Sequence, residues 1–130
     1  MIIILIRITF LENIMFSNND LNIIIKSVND GAKRIFENKL HKIILYGSYA
    51  RGDFDNESDV DIMLLLDIPA DKMNLYLDDI VKLSSRLSLF SEQCITVSII
   101  MQDKDTYEKY INTLPFFRNV SKEGVVIYAE

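Results

Sequence analysis

Tyr46-Gly-Ser-Tyr-Ala-Arg-Gly-Asp-Phe-Asp-Asn-Glu-Ser-Asp-Val-Asp-Ile62 is the stretch around which the rest of the chain organises. It is entered by His41-Lys-Ile-Ile-Leu-Tyr46, a short β-rich run stopped by Gly47. A short helical turn is expected at Gly47-Ser48. Glycine lets a ligand approach the backbone, and a hydroxyl together with helix-start amides can hold an anionic oxygen. Eleven residues after Ser48 a second strand opens with Asp59 and Asp61 and runs to Leu66. Their i, i+2 spacing puts both carboxylates on one face of that strand. Two bare carboxylates side by side repel, so they need a cation or raise each other's pKa. Magnesium answers that need, because it takes one or two carboxylates with substrate phosphates and keeps several waters. Taken singly, a Gly-Ser turn is commonly only a turn, and Asp-x-Asp at a strand start is commonly solvated or capping. Paired in this order, they describe a nucleoside-triphosphate site. The Arg51 guanidinium suits phosphate contact; the alternative is a surface ion pair with Asp53, Asp55 or Glu57.

Outward from this stretch, strands and helices interleave. Asn19 or Asp20 is a plausible N-cap for a helix over roughly 20–38, with Leu21, Ile24, Ile25, Val28, Ala32, Ile35 and Phe36 at helical spacing. Asp71 to about Phe90 reads as one long amphipathic helix facing inward through Met73, Leu77, Ile80, Val81, Leu87 and Phe90. Cys94 to Met101 reads as a third strand. Asp103 to about Leu114 and Pro115 to Glu123 read as helices, the second closed by Gly124, and Val125 to Tyr128 as a last strand. The class is α/β (α+β), a small mixed β-sheet flanked by helices and covered on one side.

The 130 residues, 49% hydrophobic and 25% charged, allow one domain with a real core and exclude disorder. A single cysteine, Cys94, excludes an intrachain disulfide framework and fits a reducing cytoplasm. With His41 the only histidine, a Cys/His zinc site would need nearly the whole inventory. Net charge −5 without a basic run argues against coating nucleic acid. Met1 to Phe10 is apolar but interrupted by Arg7 and too short to span a bilayer, which takes about 20 residues. Residues 1–14 are expected to be an N-terminal extension, or else an added edge strand, with Met15 the natural start and 15–130 the domain.

Gly47-Ser48-Tyr49-Ala50-Arg51-Gly52 followed by Ser58-Asp59-Val60-Asp61-Ile62 resembles the signature of the minimal nucleotidyltransferases (MNT), small members of the DNA polymerase β-like nucleotidyltransferase superfamily. The likeness covers roughly residues 20–130, including the tail Lys122-Glu123-Gly124-Val125-Val126-Ile127-Tyr128. It implies the nucleotidyltransferase fold and transfer of AMP from ATP. Gly47 and Ser48, with Arg51 and Ser58, would serve the nucleotide, and Asp59 and Asp61 would bind Mg2+ and carry catalysis. It further implies a partner: many such proteins are encoded beside HEPN-domain proteins, and such a pair resembles a toxin–antitoxin module in which AMP is placed on a tyrosine of the HEPN ribonuclease. The assembly could be homo- or hetero-oligomeric.

One departure from the family pattern matters. Members usually carry a third carboxylate on a neighbouring strand. The candidate strand offers Thr96 and Ser98 at the facing positions, and a hydroxyl is no general base near neutral pH. Asp103 and Glu92 flank that strand. Two rivals therefore stand beside AMP transfer to a partner protein: a degenerate nucleotidyltransferase that neutralises its partner by binding alone, and transfer to a small molecule as in the aminoglycoside nucleotidyltransferases. His41 is expected to be structural or exposed, Cys94 a small core residue, and Tyr107, Tyr110, Phe116 and Phe117 core packing rather than a partner patch. Tyr49, the variable position of the motif, is expected at the pocket mouth.

Overall fold

A computed structural model describes residues 19–90 and 95–130. The expectations about residues 1–14, Met15, the first helix's cap, Glu92, Cys94 and the Phe90 side chain lie outside the described residues. In chain order the elements are α1 (Asn19–Phe36), a 3-10 turn (Glu37–Lys39), β1 (Leu40–Tyr46), α2 (Ser48–Arg51), β2 (Val60–Leu66), a 3-10 stretch (Ala70–Tyr76), α3 (Leu77–Phe90), β3 (Val97–Asp103), α4 (Lys104–Tyr110), α5 (Pro115–Glu123) and β4 (Val125–Ala129). The four strands form one mixed sheet in the order β3-β2-β1-β4. β1 runs antiparallel to both β2 and β4, and β2 runs parallel to β3. The parallel pair is possible because α3 carries the chain back across the sheet.

Both faces of the sheet are covered, which corrects the one-sided expectation. Ile62-Met63-Leu64-Leu65-Leu66 is buried throughout, and a strand hidden on both faces is a continuous apolar run. Val60, Ile62, Leu64 and Leu66 join the stripe Leu21, Ile24, Ile25, Val28, Ala32 and Phe36 of α1 and the stripe Ile80, Leu83 and Leu87 of α3. Met63 and Leu65 face the other way, with Ile44, into Tyr107 of α4 and Phe117 and Val120 of α5.

Two helices differ from expectation. The stretch from Asp71 to Phe90 is not one helix: Ala70–Tyr76 is 3-10, and α3 begins at Leu77. Of the positions expected inward, Met73, Ile80 and Leu87 pack in or against the core, whereas Leu77 and Val81 are 49% and 52% exposed and Leu83 is buried in their stead. The helix expected over Asp103–Leu114 is only α4, and Asp103 is its N-cap, accepting a hydrogen bond from the Thr106 amide at 2.8 Å.

Candidate active site

The β-sheet register builds the site row by row. On the face covered by α4 and α5, one row across the sheet runs Ile100, Met63, Ile44 and Val126, with Met63 fully buried. The next row toward the sheet's end runs Ser98, Asp61 and Tyr46. This is where the apolar cover gives out and polar groups begin. Asp59, expected to open the strand, lies one residue before β2, close enough for its charge to act on the Asp61 carboxyl, and the Val60 amide donates to the Thr96 carbonyl at 2.9 Å. Thr96 itself is exposed and lies one residue before β3, so of the two hydroxyls it is Ser98 that sits directly beside Asp61. Asp103 pairs with Leu66 at the far end of the same strands, which excludes it as a third acid.

The turn after β1 is closed by backbone hydrogen bonds. The Ala50 and Arg51 amides donate to the Gly47 carbonyl, both at 3.1 Å, and the Gly52 amide donates to the Ser48 carbonyl at 2.9 Å. A single helical turn leaves its first amides without intrahelical partners, which is what an anionic oxygen requires. Gly47 sits at φ 77°, ψ −158°, a region that is essentially glycine's own. A Cβ there would overlap Asp61 Oδ2 and lie 3.2 Å from Asp61 Cγ. The turn and the carboxylate are thus packed directly against each other.

The charges follow from this packing. The Asp61 carboxyl is pushed above its usual range, first by burial and then by the Asp59 charge, with Arg51 opposing. Tyr46, half-buried beside Asp61, has its phenol pushed up to about 12 by burial and by the Asp61 charge. It is a neutral hydrogen-bond donor at any ordinary pH. Arg51 lies in reach of Asp61's field but is held by two other acids: Nε donates to Asp53 at 3.2 Å and NH1 to Glu123 of α5 at 3.2 Å. Those hydrogen bonds raise its pKa further. The ion-pair alternative is therefore present for Asp53, and Glu123 was not foreseen. Ser58 is likewise engaged within the loop: the Asp55 amide donates to its Oγ at 2.9 Å, and its hydroxyl donates to Asp55 Oδ1 at 3.2 Å.

Tyr49 corrects the expectation of a pocket-mouth residue. It is 4% exposed and stacks on Phe54 with ring centroids 4.3 Å apart and planes 7° from parallel, so it fastens the motif loop to the core. Tyr107 and Phe117 pack in the core as expected, but Tyr110 and Phe116 are 36% and 47% exposed. Ser84 and Ser88 of α3 were missed altogether. The Ser84 hydroxyl donates to the Val97 carbonyl, and the Val97 amide donates to Ser88 Oγ at 3.0 Å. Together they brace β3 one residue before Ser98. His41 is surface-bound, 3.4 Å from Glu130 and 3.8 Å from Glu108.

Two oxygen donors under mutual repulsion, with a hydroxyl beside them, fit a hard divalent cation that keeps waters and phosphate oxygens in its remaining positions. Among the described residues no group of three or more His, Cys, Asp or Glu side chains is gathered to hold a metal. A groove of about 260 Å³ between α1 and α3, lined by Asp30, Arg34, Leu83 and Arg86 among others, opens on the opposite face and contains none of the motif residues. No helix among the described residues is long and apolar enough to cross a membrane.

Comparison with known proteins gives the class to which the chain belongs. The Nucleotidyltransferase domain family model matches residues 25–126, and the chain belongs to that family. Two Methanocaldococcus jannaschii proteins, each named "Putative protein adenylyltransferase", are 35% and 39% identical over 104 and 105 residues, covering 80% of this chain and 94% and 95% of their own. A crystal structure from Sulfolobus solfataricus, described as a "putative nucleotidyltransferase", superposes with a TM-score of 0.49 at 19% identity over 86% of each chain.

Proposed function

We propose that this nucleotidyltransferase moves AMP from ATP to a hydroxyl of a partner protein, a tyrosine, with Mg2+ held by Asp59 and Asp61. The observation that carries this reading is the direct packing of Asp61 against Gly47, which brings a phosphate-type turn and a metal-type carboxylate into one site. The names of the two archaeal relatives support adenylyl transfer to protein. The metal, when bound, would neutralise phosphoryl charge and align the acceptor hydroxyl. The chain's own part is to hold. The amides of the Gly47–Ser48 turn hold the triphosphate tail, and Ser58 fixes the loop that delivers Asp59. Arg51 docks the turn onto α5 while adding positive potential near Asp61. The acceptor oxygen bonds to the α-phosphorus, the bond to the bridging oxygen breaks, and pyrophosphate leaves. The acceptor proton passes to a base carried by the acceptor or to water, because Ser98 cannot take it. The family resemblance supports a HEPN-domain acceptor, an antitoxin role and a cytoplasmic hetero-complex.

The test uses purified protein, magnesium and α-labelled ATP, with and without the neighbouring gene's product. Label on the partner that disappears in Asp59→Asn and Asp61→Asn supports the reading. Equal labelling by those variants refutes it. A second reading, neutralisation by contact alone, is favoured by the hydroxyl of Ser98 where a third carboxylate would stand. It expects a stable complex without label and neutralisation unharmed by either substitution. AMP transfer to an aminoglycoside without partner protein would replace both readings.

A further inference from the structure

Phe116 is an aromatic ring that the core does not use. It is 47% exposed, while Phe117 beside it is 7% exposed. Pro115 fixes the start of α5, and Phe117 and Val120 anchor the helix, so the ring is carried on a rigid base. It meets Tyr46 in a T-shaped contact, centroids 5.7 Å apart and planes at 81°. Tyr46 is in turn the cross-strand partner of Asp61. Tyr46 thus touches the Phe116 ring on one hand and pairs with Asp61 across the strands on the other.

The step beyond this rests on the nucleotide-site reading above. In an in-line displacement the attacking and leaving oxygens occupy opposite sides of the phosphorus, so the ribose oxygen, whose bond is kept, projects to the side of that line. The Gly47–Ser48 turn lies on the β1 side of Asp61 and serves the leaving pyrophosphate. The Ser98 side remains for the acceptor. The nucleoside then extends over the face of the sheet, where the half-buried ring of Tyr46 and beyond it the exposed ring of Phe116 stand. We propose that Phe116, held by Tyr46 in a T-shaped contact, is the stacking platform for the nucleobase of the triphosphate substrate. Stacking tolerates every base because each has a π-face. This ring therefore supplies affinity for nucleoside triphosphates as a class, with discrimination among bases left to other groups.

The experiment is equilibrium binding of ATP and of inorganic tripolyphosphate, both with magnesium, to the wild-type chain, Phe116→Ala, Phe116→Tyr and Asp61→Asn. The expected result is roughly 5- to 150-fold weaker ATP binding in Phe116→Ala, unchanged tripolyphosphate binding, and recovery of ATP binding in Phe116→Tyr. Unchanged ATP binding in Phe116→Ala, with both ligands lost in Asp61→Asn, overturns the platform and leaves the site reading intact. Equal weakening of both ligands in Phe116→Ala also overturns it, since the ring then acts through the fold. Intact ATP binding with impaired labelling of the partner overturns it in favour of an acceptor contact. A wild-type chain that binds neither ligand removes the nucleotide-site reading and this inference with it.

Discussion

Replacing Gly47 by alanine tests how the site is built. The backbone there, at φ 77° and ψ −158°, costs a residue with a Cβ about 1–3 kcal/mol. For a chain of 130 residues that corresponds to a melting temperature lower by about 4–11 °C. Strain is only half of the effect, because the new Cβ overlaps Asp61 Oδ2. Either the Asp61 carboxylate rotates away or β2 shifts, and misplacing a reacting group by about 1 Å costs on the order of 10²-fold in rate. Gly52→Ala is the matched control: φ is 85°, but nothing lies within 4 Å of its Cβ. It carries the strain without the collision. Thermal melts of the two variants should therefore both fall, whereas Mg-ATP affinity and AMP transfer should collapse only in Gly47→Ala. If the two variants bind Mg-ATP and transfer AMP equally well, direct packing of the turn on Asp61 is not what organises the site.

Asp61→Asn removes a half-buried charge that faces Asp59, so in EDTA its melting temperature should rise while Mg-ATP binding falls; a lower melting temperature would contradict the repulsion. Ser98→Asp adds a third carboxylate in register with Asp61; it should tighten magnesium binding and speed AMP transfer, and an unchanged rate would show that the acceptor side needs no acid from β3. Ile62→Ala, in the fully buried centre of β2, should cost about 2–5 kcal/mol in urea denaturation, and a loss below about 1 kcal/mol would mean that β2 is not the keel of the core.

What could be read from the sequence was whatever is fixed by near neighbours. The α1 stripe, the strand into Gly47 and α5 over Pro115–Glu123 all rest on local periodicity or on a helix-start proline, and they appear as expected, while β2 begins at Val60, one residue later than the expected opening at Asp59. The two-sided burial of the sheet was present in Ile62–Leu66 as an unbroken apolar run, a signal that an alternating template passes over. Other features belong to tertiary contacts. The partner of Arg51 is 72 residues away in Glu123, and the start of β3 is set by the hydroxyls of Ser84 and Ser88 rather than by its own residues. In a helix of one turn no periodicity distinguishes inside from outside, so Tyr49 reads as a rim residue although it lies in the core. Phe116 and Phe117 are adjacent and chemically identical, and only the seating of α5 decides which one reaches water.

The two flanks of Asp61 are unequally equipped, and on the proposed reading this asymmetry sets how the protein behaves without its partner. Toward β1 stand the glycine turn, the Arg51–Glu123 clasp and the Tyr46–Phe116 pair, all tied to rigid elements. Toward β3 the backbone is equally well braced through Val97, yet the side chain presented is the hydroxyl of Ser98, which accepts and donates hydrogen bonds but does not remove a proton near neutral pH. A site of this kind holds the nucleotide without activating an attacking water. General-base assistance contributes about 10²–10⁴-fold to such steps, so hydrolysis of bound ATP by the isolated chain should be slower than AMP transfer to the true acceptor by a factor of that order. The base then has to arrive with the acceptor. A nucleotidyltransferase lacking a third acid in this position spares ATP when alone and commits it when the correct hydroxyl docks.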